Sequence, residues 1–386
     1  MNFRQHKDLI ISEVGFGCYG LSGVYGKEPQ DYKHTIQKAY EMGINFFDTA
    51  EAYGGAEEIL GNVVQPFRGE IYIATKVGVR EGMKPDLSPA YVKEACEQSL
   101  KRLNMDYIDL YQVHFDDPGT PVEDTLGALE SLVEKGLVRH YGVGHISADR
   151  VKEYNQKGSL FSILMELSAV ARHSLHELLP LCRENNLAAI AFSVTGRGVL
   201  TGKIRESTAF SQGDIRNLDP LFKRERFESS LRILEKFKSL GAKYGKSPVQ
   251  VAIAWVLGQP GVVCALTGPS SLEHLEENIG GSGWQLEEPD LKDLEHFLNE
   301  EDARLVSKQK VSLRILLTGP SPADPDVAFQ DLVYVCETAI LTRMASEAEV
   351  IPIFQDLFAL RERLESEDVR PQLQDFQRKL RAMILN

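Results

Sequence analysis

Asn45-Phe46-Phe47-Asp48-Thr49-Ala50-Glu51-Ala52-Tyr53-Gly54 joins a short apolar run to a carboxylate and, five residues later, to a phenol. The apolar run is typical of a buried β-strand, and the polar residues follow where that strand would end. The runs that end in Lys76 and His114 repeat this arrangement with an amine and an imidazole. Because chemistry in a β/α barrel takes place at the strand ends, the sequence predicts one catalytic site of Asp48, Tyr53, Lys76 and His114.

Eight strand-like runs alternate with helical patterns along the first 298 residues. These runs cover residues 14–17, 45–47, 71–75, 108–113, 140–144, 163–167, 188–193 and 262–266. This alternation predicts an α/β fold, specifically a (β/α)8 TIM barrel over residues 1–298. Ser88-Pro89 and Ser247-Pro248 predict helix starts, and Gln250 completes a capping box. The long segment 204–227, after the seventh strand, predicts a functional loop.

The barrel pattern ends near residue 298, and a small all-α C-terminal extension is predicted to follow. Residues 299–325 are interpreted as a linker, and residues 326–386 contain three apolar stripes at helical spacing. The stripes consist of Phe329, Leu332, Val333, Cys336, Ala339, Ile340 and Met344; of Ile353, Phe354, Leu357 and Leu364; and of Leu373, Phe376, Leu380 and Met383. Such faces must be buried. We therefore expect the helices to dock on the barrel or to form a homo-oligomer.

Composition excludes several classes of partner. The formal charge of −13 and the lack of a Lys/Arg block argue against nucleic-acid binding. No uninterrupted apolar run approaches the length of a membrane span, so we expect a cytoplasmic protein that does not bind membranes. The five cysteines are widely spaced and include no C-x-x-C pair, which predicts free thiols and no metal site.

The chain resembles the aldo-keto reductases from about residue 2 to about residue 298. Five sequence words recur in the order typical of that family: Phe47–Gly54, Thr75–Val77, Tyr111–His114, Gly198–Lys203 and Glu276–Asn278. The resemblance implies an NAD(P)-dependent enzyme that transfers hydride between nicotinamide and a carbonyl or alcohol substrate, with sugars and small aldehydes as candidates. Tyr53 would exchange the proton, His114 would orient the carbonyl, and Asp48 would hold Lys76, which we expect to lower the pKa of Tyr53.

The resemblance also implies a set of cofactor-binding residues. Those expected around the nicotinamide are Gly17, Cys18, Tyr19, Asp48, His145, Phe192, Ser193 and Thr195; those toward the pyrophosphate and adenosine are Gly198, Lys203, Arg216, Gly268, Ser270, His274, Glu277 and Asn278. Residues 15–20 match G-x-G-x-x-G, but no helix opens at the third glycine, so a Rossmann site is not predicted. Because residues 268–278 carry no Lys or Arg, we expect NAD to be used as well as or better than NADP.

The sequence departs from the family pattern around the nicotinamide. Gly144-His145 stands in place of Ser-Asn, residues 164–168 lack the usual Gln and Tyr-Asn pair, and Ser193-Val194-Thr195 replaces Ser-Pro-Leu. These departures leave two alternatives open. One is a cofactor-binding regulatory or redox-sensing subunit resembling the potassium-channel β subunits. The other is a barrel that uses its nicotinamide transiently for epimerisation or elimination on a sugar.

Overall fold

The computed structural model describes residues 1–26, 32–80, 84–364 and 367–385. The strands are β1 (Phe3–His6), β2 (Leu9–Ser12), β3 (Val14–Gly17), β4 (Phe46–Asp48), β5 (Tyr72–Val77), β6 (Val79–Arg80), β7 (Lys84–Pro85), β8 (Ile108–Val113), β9 (Val138–Gly144), β10 (Ser162–Glu166), β11 (Ala188–Phe192) and β12 (Val262–Thr267). Eight of them close a parallel barrel in the order β3-β4-β5-β8-β9-β10-β11-β12. This confirms the predicted (β/α)8 fold.

Two antiparallel hairpins lie outside the barrel sheet, β1 with β2 and β6 with β7. In the first hairpin, Leu9 and Ile11 alternate with the exposed Ile10 and are fully or almost fully buried. They join the barrel's interior cluster, which includes Phe46, the first residue of β4, and Phe161, which directly precedes β10. The N-terminal hairpin therefore supplies apolar side chains that fill one end of the barrel.

Helices follow the barrel strands. They are α1 (Tyr32–Glu41), α2 (Ala56–Val64), α3 (Pro89–Leu103), α4 (Val122–Glu134), α5 (Ala148–Lys157), α6 (Leu178–Glu184), α7 (Arg224–Tyr244), α8 (Pro248–Leu257) and α9 (Leu272–Ile279). The capping box of Ser247 and Gln250 is confirmed at α8. Ser88 precedes α3 as predicted, but its hydroxyl makes no capping hydrogen bond. Its backbone N–H instead donates to Asp86 at 2.9 Å.

The chain divides into two compact units, residues 1–211 with 236–287 and residues 212–235 with 288–386. The second unit contains α10 (Glu288–Thr318), α11 (Pro325–Leu341), α12 (Glu347–Ala359) and α13 (Arg370–Leu385). All three predicted apolar stripes pack in one core together with Leu313 and Leu317 of α10. The C-terminal extension is therefore helical as expected.

Two boundaries differ from the sequence prediction. The segment 299–325, expected to be a linker, is helical as far as Thr318. Its apolar periodicity is interrupted because buried positions carry Glu301 and Gln309. Glu301 is tolerated there because it accepts hydrogen bonds from Ser229 at 3.1 Å and Arg232 at 2.9 Å. Residues 212–235, expected to be part of the barrel domain, belong to the second unit.

Two sequence-wide features can be compared with the structure. All five cysteines are buried and form no disulfide, which confirms the free thiols. None of the helices in the described ranges combines the length and apolar character needed to cross a membrane.

Candidate active site

Asp48 and Lys76 form a buried ion pair at neighbouring strand ends. Asp48 is the last residue of β4, and Lys76 lies near the end of β5, which pairs with it. Lys76 Nζ donates to Asp48 Oδ1 at 2.5 Å and to the Thr49 carbonyl oxygen at 2.7 Å. The exposed side-chain fractions are 6% for Asp48 and 1% for Lys76. Burial raises the pKa of Asp48, although Lys76 and the Gln112 amide oppose this change.

The phenol of Tyr53 lies above this pair, as the sequence predicted. Lys76 Nζ is 4.8 Å from the centroid of the Tyr53 ring, and the ring of Tyr19 lies 4.9 Å from it. The expected lowering of the Tyr53 pKa is not found. Burial and then the charge of Asp48 raise this pKa well above its ordinary value of about 10. The phenol is therefore held in its protonated form, which suits a proton donor.

His114 follows β8 and faces Tyr53 edge to face, with the ring centroids 5.6 Å apart. Its backbone N–H donates to the carbonyl of Val77 at 2.8 Å, which fixes the strand end. Burial, followed by the charges of Lys76 and His145, lowers the His114 pKa well below its usual value. The imidazole is therefore neutral near pH 7. Its Nδ1 atom is buried and has no hydrogen-bond partner within the described part of the chain.

An aromatic cluster of Phe115, His145 and Phe192 continues from His114. The ring of His145 stacks on Phe115 at 4.6 Å and lies 4.9 Å from Phe192. His145 has a positive φ of 46°, which L-residues rarely adopt. Desolvation by the surrounding protein lowers its pKa to about 4. Phe192, at the end of β11, is thus connected through the ring of His145 to His114.

A second polar cluster forms where β12 leads into α9. His274 Nε2 lies 2.7 Å from Lys203 Nζ, and its Nδ1 lies 2.9 Å from the Ser270 hydroxyl. Burial and then Lys203 lower the pKa of His274. The NAD prediction rests on the absence of Lys and Arg within residues 268–278. The Lys203 ammonium, from another loop, contacts the imidazole directly and brings a cation to this corner, so the preference between NAD and NADP stays a prediction.

The remaining predicted residues occupy several places. Gly17, Cys18, Tyr19, Ser193, Thr195, Gly198, Gly268, Glu277 and Asn278 lie in the first unit at strand ends, on the loops that follow or on α9. The Cys18 N–H donates to the Asp48 carbonyl at 2.8 Å, and burial raises the Cys18 pKa. Arg216 belongs to the second unit, where it pairs with Asp214 at 2.5 Å.

Two contacts at the site were missed by sequence reasoning. Gln112 Nε2 approaches Asp48 Oδ2 at 3.4 Å. It lies two residues before His114, so the strand period of two could have placed it on the same face. Glu166, the last residue of β10, forms an ion pair with Arg197 at 3.6 Å. No sequence pattern indicates that Glu166 and Arg197 form a pair.

Metal binding was also considered. The described residues contain no group of three or more His, Cys, Asp or Glu side chains that could hold a metal ion.

Comparison with known proteins identifies the family. Residues 13–299 match the model of the Aldo/keto reductase family. A probable aldo-keto reductase of Glycine max is 36% identical over 293 residues, which cover 74% of this chain and 84% of the relative. An aldo-keto reductase of Bacillus subtilis is 34% identical over 75% of this chain and 91% of its own length.

Solved structures agree with this result. A glycerol dehydrogenase of Gluconobacter oxydans superposes with a TM-score of 0.71 and 30% identity, covering 78% of this chain and 96% of its own. The holo form of an aldo-keto reductase of Bacillus halodurans gives a TM-score of 0.65 and 29% identity over 77% of this chain and 96% of its own. The chain belongs to the aldo/keto reductase family, and this membership supports an oxidoreductase.

Proposed function

We propose that this protein is an NAD(P)-dependent oxidoreductase that interconverts a small carbonyl compound and the corresponding alcohol. The observation that carries the proposal is the convergence of a buried Asp48–Lys76 pair, the Tyr53 phenol and a neutral His114 at adjacent strand ends. In a β/α barrel this is the face where catalysis takes place.

The chain's own residues would handle the proton and the orientation of the substrate. Tyr53 is protonated near neutral pH and can donate its hydroxyl proton to a developing alkoxide. Lys76, held by Asp48, places a positive charge beneath the phenol ring and stabilises the phenolate left after transfer. His114 is neutral, so one ring nitrogen can donate a hydrogen bond to the carbonyl oxygen.

The residues around the barrel mouth fit a nicotinamide cofactor, which would supply and accept the hydride. Phe192 offers an aromatic face, and the buried Ser193 hydroxyl has no hydrogen-bond partner within the described ranges. Lys203, Ser270 and His274 form a polar, partly cationic cluster suited to a phosphate-bearing nucleotide. Together these groups offer both an apolar and an anion-binding end. The nicotinamide would lie at the apolar end, beside Phe192, and the adenosine would lie at the anion-binding end, beside Lys203.

A Tyr53→Phe variant tests this function. The phenyl ring preserves the packing against Tyr19, but the proton donor is lost. We expect turnover of a generic aldehyde with NADPH or NADH to fall by about 10² to 10⁴-fold. Cofactor binding, followed by fluorescence, should stay within about twofold of the parent. An unchanged turnover rate in the variant would rule out Tyr53 as the proton donor.

A cofactor-binding sensor is the second candidate, and the rearranged residues beside Phe192 favour it. His145 and Glu166 stand where the sequence departs from the family pattern. Tight NADPH binding by the parent protein, with no turnover across sugars, short aldehydes and aromatic ketones, would select the sensor. Conversion of a sugar with no net change in the cofactor would instead select epimerisation or elimination. Self-association through the C-terminal helices and a cytoplasmic location are further proposals.

A further inference from the structure

A carboxylate lies beside the aromatic face proposed for the nicotinamide. Glu166 ends β10 and is aligned in register with Phe192, the last residue of β11. Its side chain is 24% exposed. The mechanism described above makes no use of this charge.

The influence of the carboxylate extends to the aromatic cluster. The ring of His145 lies 4.9 Å from the ring of Phe192. Among the charges that act on His145, Glu166 has the largest effect and raises its pKa, whereas Lys76 and Arg197 lower it by less. At His145, the effect of Glu166 is thus larger than that of Arg197, with which Glu166 forms an ion pair.

The backbone around this carboxylate is unusual. His145, Ser193 and Arg197 all have a positive φ, at 46°, 58° and 49° respectively. Non-glycine residues in this conformation are costly and cluster at ligand clamps and active sites. His145 lies on the loop after β9, and Ser193 and Arg197 lie on the loop after β11, so both loops beside Glu166 contain this backbone conformation.

We propose that Glu166 is a specificity-determining residue that acts on the oxidation state of the cofactor. Compared with a neutral side chain at this position, its carboxylate favours binding of the oxidised cofactor over the reduced cofactor. The inference rests on the proposed nicotinamide-dependent function. The oxidised nicotinamide ring is a cation, whereas the reduced ring is neutral. A carboxylate at the neighbouring strand end would stabilise the cation alone, and we expect a discrimination of about tenfold.

The test compares dissociation constants and requires no turnover. NADP⁺, NADPH, NAD⁺ and NADH are titrated into the full-length protein by calorimetry. We expect Glu166→Gln to raise the dissociation constant of each oxidised form about tenfold relative to its reduced partner. Arg197→Gln should change the ratio in the opposite direction, because it removes the positive charge that opposes Glu166. Asp149→Asn, at a side chain that is 90% exposed, is the matched control and should leave the ratio unchanged.

The possible outcomes separate the two proposals. Failure of every cofactor to bind the parent protein would overturn the proposed function. If cofactors bind but Glu166→Gln changes both oxidation states equally, the residue is only structural and the charge inference is wrong. If Glu166→Gln does not fold, Arg197→Gln decides the question, and an unchanged ratio in that variant overturns the inference.

Discussion

Replacing Lys76 with Met should strongly destabilise the fold. The substitution keeps the length of the side chain but removes the ammonium that lies 2.5 Å from Asp48 Oδ1. Among the described residues, the Asp48 carboxylate then keeps the weak side-chain contact from Gln112 at 3.4 Å. Because both members of the pair are almost fully buried, the unpaired charge should cost about 3–5 kcal/mol in the free energy of unfolding. Urea denaturation at pH 8, followed by circular dichroism, measures this change.

Lys38→Met is the matched control. Lys38 pairs with Glu41 at the same N–O distance of 2.5 Å, but both side chains are 40% exposed, so we expect a much smaller loss of stability than in Lys76→Met. The double variant Asp48→Asn with Lys76→Met should recover part of the lost stability, since no charge remains buried. A loss in Lys76→Met no larger than in Lys38→Met would refute the reasoning.

The pH dependence of the Lys76→Met variant supplies an independent check. An unpaired, buried Asp48 has a pKa that is higher in the folded than in the unfolded state, so the folded state binds the proton more tightly. The loss in the free energy of unfolding is therefore largest at pH values above the pKa of Asp48 in the folded state. It shrinks as the pH falls and disappears below the unfolded pKa of about 3.9.

Further predictions concern the whole chain, the cofactor and acid stability. Truncation after residue 298 removes the helices with which residues 212–235 form the second unit, so light scattering should show aggregation or a changed oligomeric state. Lys203→Ala should raise the dissociation constant of NADPH about tenfold more than that of NADH, because a 2′-phosphate gains most from a cation. Binding of NADPH should also strengthen as the pH falls below about 6.5 and His274, whose pKa is lowered, becomes protonated. Burial lowers the pKa of His6 and His114 in the folded state, so the unfolded state binds protons more tightly as the pH falls. The urea concentration at the unfolding midpoint should therefore be lower at pH 5.5 than at pH 7.5.

Each of these predictions has an outcome that contradicts it. A monodisperse truncated protein with the parent's oligomeric state and activity would show that the extension is independent. Equal changes in the two dissociation constants would remove Lys203 from 2′-phosphate binding; Lys152→Ala, at a 50% exposed side chain, is its control. A urea midpoint that is constant or rises on acidification would contradict the histidine argument.

The barrel and its strand-end residues could be predicted because both depend on local sequence. A buried parallel strand is a short apolar run, and the residue that follows it lies at a known face of the fold. Asp48, Lys76 and His114 were found in this way. Tyr53 was found because it follows Asp48 closely on the same loop.

Other features depend on contacts between residues that are distant in the sequence. Lys203 meets His274 across 71 positions, and no pattern in either segment indicates the pairing. The pKa of Tyr53 depends on how deeply the fold buries the phenol, a quantity that residue types alone do not provide. The continuation of α10 was concealed because Glu301 occupies a position where the helical pattern requires an apolar residue.

The division of the chain into interleaved units has a consequence for its biosynthesis. Residues 212–235 leave the ribosome well before residues 288–386, with which they form one compact unit. At about 5–20 residues per second, the earlier segment waits several seconds or longer for its partners. During that interval Leu218 lacks the helical core against which it packs, and Leu221, which is 1% exposed in the folded protein, is not yet buried. Nascent chains stalled between these segments should therefore be the species that chaperones bind most strongly.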